Sequence, residues 1–232
     1  FLEFHVTFIQ VKKILLFFDN AISKNKKTNN KILDKMIAKF KELPSGKKYS
    51  RNLLKAFMMD ASNKKYKNWN DLLYYCKFSA NPVGRFVIDA VNERKNIEKI
   101  YEASDSLCTA LQIINHIQDC KKDFKELNRV YIPESFFKKY SVDKKILRKS
   151  KSIENFERLK IEIVDNVLLS LRKTKLGLRE IQSWRLRKET LIILNIAKRL
   201  CNLLKINDPL EKQIKLSRID FIFCFFKGIM YD

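Results

Sequence analysis

Four polar side chains, Gln112, Asn115, Asp119 and Asp123, recur at steps of three, four and four residues. On a helix these steps put all four on nearly one face, so two amides and two carboxylates form a single polar stripe. Leu107, Ala110, Leu111, Ile113, Ile114 and Ile117 flank it, which turns the stripe toward a cavity in a helical protein rather than toward bulk water. Carboxylates one turn apart repel each other, and a hard cation between them relieves the repulsion. Mg²⁺ suits this donor set, because it takes one or two carboxylates and completes its shell with phosphate oxygens. Arg129 and Tyr131 follow in a short basic link, within reach of such phosphate oxygens. The D-x-x-x-D spacing alone also describes an ordinary solvated helix face; the amides, the apolar flanks and the basic link set this one apart.

Other chemistries find no residues to carry them. The chain has no Gly-rich phosphate loop, H-E-x-x-H pair, nucleophile elbow or EF-hand loop, and its two histidines, His5 and His116, assemble no triad. His116 points about 100° away from its neighbour Asn115 on a helix and reads as a packed or solvated side chain. Five widely spaced cysteines with no C-x-x-C pair read as reduced, free thiols rather than a disulfide framework or zinc site.

The elements that must position the stripe are helical throughout. With four Gly and four Pro in 232 residues and long amphipathic stretches, the fold class is all-α, in one domain with a sizeable core. Helices are expected over 6–22, 30–43 (stopping before Pro44-Ser45-Gly46) and 49–61. The next begins near Asn70 and breaks at Asn81-Pro82, where proline removes a backbone donor. Small residues Ser79, Ala80 and Gly84 gather at that break, which makes room either for a ligand or for close helix packing. After the central helix and Pro133, short helices are expected over 135–140 and 143–149, long ones over 153–181 and 186–204, and a last one from Arg218.

Lys and Arg number 48 against 26 Asp and Glu, a net charge of +22 spread along the chain. A field of that sign favours anionic partners, although a genome rich in Lys codons gives the same balance. Nucleic-acid binding has only the charge behind it and is not expected. Lys12 and Lys13 split the apolar N-terminal stretch, and the closing FIFCFFKGIMY is eleven residues, so neither spans a bilayer. The closing segment is expected in the core rather than on a membrane surface. The expectation is a cytoplasmic protein, with any membrane contact peripheral, at an anionic inner face.

Two blocks, YYCKFSANPVGRFV and TALQIINHIQDCKKDFKELNRVYIP, resemble the squalene/phytoene synthase family of head-to-head prenyl synthases. SANPVGR and the later KLSRIDF are most similar to its bacterial hopanoid-pathway, hydroxysqualene-forming branch, and the resemblance runs from about residue 33 onward. It implies an isoprenoid-synthase-type helical bundle around a central cavity. It places Asn115, Asp119 and Asp123 on the second aspartate-rich motif as Mg²⁺ ligands, with Asp119, Asp123 and Tyr75 catalytic. Gln112, Arg129 and Tyr131 become substrate-binding residues, and Ala80, Val83 and Gly84 line the prenyl channel. The implied substrates are farnesyl and presqualene diphosphate. The implied chemistry is Mg²⁺-assisted loss of diphosphate, giving squalene or hydroxysqualene.

One departure stands against these matches. The family carries a first motif, D-D-x-x-D, on an early helix facing the second, and counting back from Leu33-Asp34 places it near 15–20. This chain reads Leu15-Leu16-Phe17-Phe18-Asp19-Asn20 there, so at most Asp19 stands for one acid and Mg²⁺ and substrate binding should be weak. Residues 1–22 are accordingly set off as an irregular, truncated or frame-shifted segment before a helical domain over 23–232. The alternative is a catalytically impaired relative that acts as a non-enzymatic helical interaction or assembly protein.

Overall fold

Pro82 and Asp119 divide the centre of the chain, and the helices on either side of these two breaks build the site. The computed structural model describes residues 8–172 and 174–230. Its first three helices are α1 (Phe8–Lys24), α2 (Lys31–Lys39) and α3 (Ser45–Ala61). Asn30 caps α2, its side chain accepting the amides of Ile32 and Leu33. The expected stop at 44–46 is instead the start of α3, with Pro44 at its N-cap, because proline's fixed φ suits the first turn of a helix. Leu15, Ala21, Ile22, Leu33, Ile37 and Leu54 form a small core joining these three. Within the segment set off as irregular, residues 8–22 belong to a regular helix, and residues 1–7 lie outside the described ones.

Helices α4 (Trp69–Ser79) and α5 (Asn81–Ala90) meet at Ala80, as the proline requires. Next come α6 (Ile97–Gln118), α7 (Cys120–Leu127) and α8 (Glu134–Lys139), followed by a 3-10 turn over Lys144–Arg148. Then follow α9 (Glu154–Ser170), α10 (Thr174–Leu178), α11 (Trp184–Ile206) and α12 (Arg218–Met230). Helix α6 is the hub: α4, α5, α9, α10 and α11 all pack on it, and Ile100, Leu107, Ala110, Ile113, Ile114 and Ile117 bury its inner faces in the main core.

Two expectations about the C-terminal half need correcting. The single helix over 153–181 is two, α9 and α10, because the turn after Leu171 brings Gly177 down against Lys99 and Ala103 of α6. The closing segment does not enter the core. Only Cys224 and Gly228 of α12 are buried, and Gly228 lies against the backbone of Ile192 on α11, the helix that holds α12 in place.

Candidate active site

Asp119 sits at a break in the central helix, with φ −101° and ψ 7° between α6 and α7. The ladder nonetheless continues through it. The Asp119 amide donates to the Asn115 carbonyl (2.9 Å) and the Asp123 amide to the Asp119 carbonyl (2.8 Å), so the stripe keeps its four-residue register. On the far flank, Gln118 donates to the Ile214 carbonyl (2.6 Å) and Lys121 to that of Leu210. The 209–214 segment therefore covers that side, leaving Asn115 exposed and Asp119 and Asp123 half-buried.

Burial, and next the charge of Asp119, push the Asp123 carboxyl up to about 6, with Arg129 opposing. At Asp123 the nearby cations Arg129 and Lys122 thus offset burial and the Asp119 charge only in part. A third carboxylate, which the sequence reading passed over, lies across from these two: Asp60, at the end of α3, adds to the electrostatic load on Asp123. Tyr75 donates to Asp60 Oδ2 (3.0 Å) and Tyr131 to Oδ1 (2.9 Å). Burial raises the Asp60 carboxyl above its ordinary range, opposed by these two phenols and Arg129. Sequence spacing could not reveal this acid, because its partners are fifteen and seventy-one residues away; the local sign is only a carboxylate closing the run Phe57-Met58-Met59.

Behind Asp60 stands an aromatic box of Tyr66, Tyr75, Tyr131 and His116. The Tyr131 ring stacks on His116 at 3.6 Å and 11°, and Tyr66 packs edge-on to Tyr75 at 5.5 Å. Burial drives the phenol of Tyr131 up to about 12 and that of Tyr75 higher, so both remain protonated donors. It drives the His116 imidazole down to about 3. Gln112 Nε2 lies 3.1 Å from His116 Nε2, so the expected substrate-binding amide faces this box. His116 is packed, as expected, but within the site rather than apart from it.

Helix α5 lies along the same face of α6 that carries the stripe further on. Thr109 donates to Asn81 (2.9 Å), and Arg85 makes a bidentate pair with Asp105 (2.7 and 2.9 Å). Positions 105, 108, 112, 115 and 119 follow one another at helical steps, so the N-terminus of α5 ends just short of the stripe. Gly84 is pressed on α6: a Cβ there would come within 2.3 Å of Ser104 Oγ and 2.7 Å of Cys108 Sγ. Of the expected channel residues, Gly84 therefore sets helix packing, Ala80 is buried and Val83 is 52 % exposed. Val83, Val87 and Val91, spaced by four, make an apolar strip open to solvent along α5.

Asp19, where the opposing carboxylates are expected, is held on α1 in a bidentate pair with Arg51 of α3 (2.7 and 3.2 Å). Its i−4 neighbour Leu15 is buried in the small core. Among the described residues, no group of three or more His, Cys, Asp and Glu side chains is arranged to hold a metal. What remains, two half-buried carboxylates with an exposed amide in one register, fits a hard cation that draws its other ligands from phosphate.

A squalene/phytoene synthase family profile matches residues 11–220. The hydroxysqualene synthases of Sinorhizobium fredii and Zymomonas mobilis are 35% and 38% identical over 175 and 164 residues. These matches take in 75% and 70% of this chain but 59% and 54% of the relatives, so the chain spans little more than half the length of the curated relatives it matches. A dehydrosqualene synthase crystal structure superposes with a TM-score of 0.79 at 16% identity, covering 96% of this chain and 78% of the other. The squalene synthase of Alicyclobacillus acidocaldarius gives 0.63 at 19% identity, over 95% and 74%. These two show the fold, an all-α bundle of the isoprenoid-synthase type. The profile match and the hydroxysqualene synthase relatives establish that the chain belongs to the squalene/phytoene synthase family.

Proposed function

We propose that this chain binds an allylic prenyl diphosphate, farnesyl or presqualene diphosphate, as part of C30 synthesis of the hydroxysqualene type in hopanoid or triterpenoid formation. The observation that carries the proposal is the layout along α6: the half-buried Asp119–Asp123 pair, one turn apart, at one end and the open Val83–Val87–Val91 strip of α5 beside the other. A ligand with an anionic head and a long apolar tail matches both. Asn115, Asp119 and Asp123 would hold Mg²⁺, which when bound supplies positive charge at the departing pyrophosphate. Arg129, already felt by both Asp60 and Asp123, adds a second cation at that end. Tyr75 and Tyr131 spend their phenolic protons on Asp60 and so fix that carboxylate beside the pair, while the exposed Val83–Val87–Val91 strip offers an apolar surface to the tail.

The test is incubation of the folded chain with presqualene diphosphate and Mg²⁺, with products read by mass spectrometry. Hydroxysqualene or squalene is expected, reduced about 100-fold or more in Asp119→Asn. Absence of both products from folded protein that also fails to bind pyrophosphate would overturn the proposal. The second reading, a non-enzymatic helical interaction protein, draws on the engagement of Asp19 by Arg51 and the apolar Leu15 beside it. It predicts that Asp119→Asn leaves partner binding unchanged.

A further inference from the structure

Asn115, Asp119 and Asp123 straddle a break in the helix that carries them. Asn115 belongs to α6 and Asp123 to α7, and Asp119, with φ −101° and ψ 7°, is the joint. A bend at that joint would carry Asn115 away from Asp123. Mg²⁺ tolerates little of this, because it demands near-ideal octahedral geometry. Asp119 also stands at the N-cap of α7, where a carboxylate ordinarily turns back to accept the amide of the second or third helical residue. Here it makes no such bond, so its oxygens stay free for a ligand. The brace for the joint comes from elsewhere in the chain.

Residues 207–214, between α11 and α12, cross that joint. Gln118, the last residue of α6, donates to the Ile214 carbonyl (2.6 Å), and Lys121, in the first turn of α7, to that of Leu210, so one bond falls on each side of Asp119. Pro209, Leu210 and Gln213 line one groove with Asp119. The segment is itself rooted. Leu210 and Ile214 are buried, and Asp208 accepts from the Ser152 amide and hydroxyl (2.6 Å each) and from the Leu210 amide (2.8 Å). Lys160, fully buried on α9, donates to the Asn207 carbonyl (2.7 Å) and to Glu157 (2.6 Å). A buried ammonium is costly unless its hydrogens are engaged, so Lys160 holds Asn207 in place.

We propose that residues 207–214 form a splint across the Asp119 joint, with Gln118 and Lys121 as positioning residues that hold Asn115, Asp119 and Asp123 in one register for a divalent cation. Neither residue touches the cation; each acts through the backbone on its own side of the joint. The inference rests on the proposed metal and diphosphate reading of the stripe.

The test compares Mg²⁺-dependent pyrophosphate binding, by calorimetry, in the unaltered chain and in Gln118→Leu, Lys121→Met and Asp208→Ala, each below its melting transition. The Mg²⁺ concentration for half-maximal binding is expected to rise about 10-fold in each. A contact that merely stabilises the fold would leave that midpoint in place. Gln118→Leu changes no charge, so a shift there does not come from altered attraction for pyrophosphate, and Lys121→Arg, which keeps a donor, should retain the original midpoint. Hydrogen exchange in metal-free protein gives a second readout: the amides of Asp119 and Asp123 should exchange faster in Gln118→Leu, while those of Ile113 and Ile114 keep their rate. Should Asp208→Ala fail to fold, the other two variants decide. Midpoints unmoved in folded Gln118→Leu and Lys121→Met, or exchange unchanged at the joint, would overturn the splint and leave the reading of the stripe intact. Absence of pyrophosphate binding by the unaltered chain would overturn that reading and this inference with it.

Discussion

Ionising Asp123 costs the fold free energy. Its carboxyl is pushed up to about 6 by burial and by Asp119, against an ordinary value near 4. A raised carboxyl destabilises the fold progressively as pH rises through that window, and at pH 7 the full penalty is present. Asp123→Asn should therefore raise the melting temperature of the free chain at pH 7 by about 2 °C, allowing for solvent screening at a half-exposed group. The gain should vanish near pH 4, where both proteins are neutral at this position. A loss of stability at pH 7 would show that Asp123 is satisfied by the protein itself. His116 has the opposite sign. Burial holds its imidazole down to about 3, so the unfolded chain takes up its proton first as pH falls below about 6.5. Stability is then lost between there and pH 3. His116→Phe, which keeps the stack on Tyr131, should flatten that part of the stability profile measured by urea unfolding. Asp60 belongs to the same scale and shows why part of the site was hidden. The stripe was legible because its spacing is local, whereas Asp60 meets Tyr75 and Tyr131 only after folding.

Element positions follow largely from proline, caps and apolar periodicity, and so were legible within a few residues. The break at Pro82, the cap at Asn30 and the start of α12 fall where the chain chemistry puts them. The division between α9 and α10 was hidden because apolar periodicity runs across it, and what decides it is the seat of Gly177 on α6. The exposure of α12 was hidden for a related reason: apolar composition reads as core, and nothing in a sequence states which face has no neighbour. Three glycines let helices approach closely, and their substitution by alanine should rank by what the new methyl meets. At Gly84 it meets the side-chain ends of Ser104 and Cys108, which can rotate away. At Gly177 it meets the Lys99 carbonyl at 2.8 Å, and at Gly228 the Ile192 Cα at 2.7 Å, both backbone. Gly177→Ala and Gly228→Ala should each cost about 1–3 kcal/mol and exceed Gly84→Ala, as read by chemical denaturation. The reverse order would mean that α10 and α12 are loosely held.

The whole molecule combines one cation-seeking stripe, one apolar strip and a strongly positive field. The field brings diphosphates toward the chain but cannot distinguish a built site from a charged surface. On the proposed reading Asp119 and Asp123 form a metal-dependent diphosphate site although the expected opposing acids read Leu15 and Asp19. Calorimetric titration of the chain with inorganic pyrophosphate, with and without Mg²⁺, tests this directly. Binding should require Mg²⁺ and should be weakened about 10- to 100-fold by Asp119→Asn. Pyrophosphate binding that persists in chelator, or that is unchanged by Asp119→Asn, would assign the affinity to the lysine-rich surface and contradict the account.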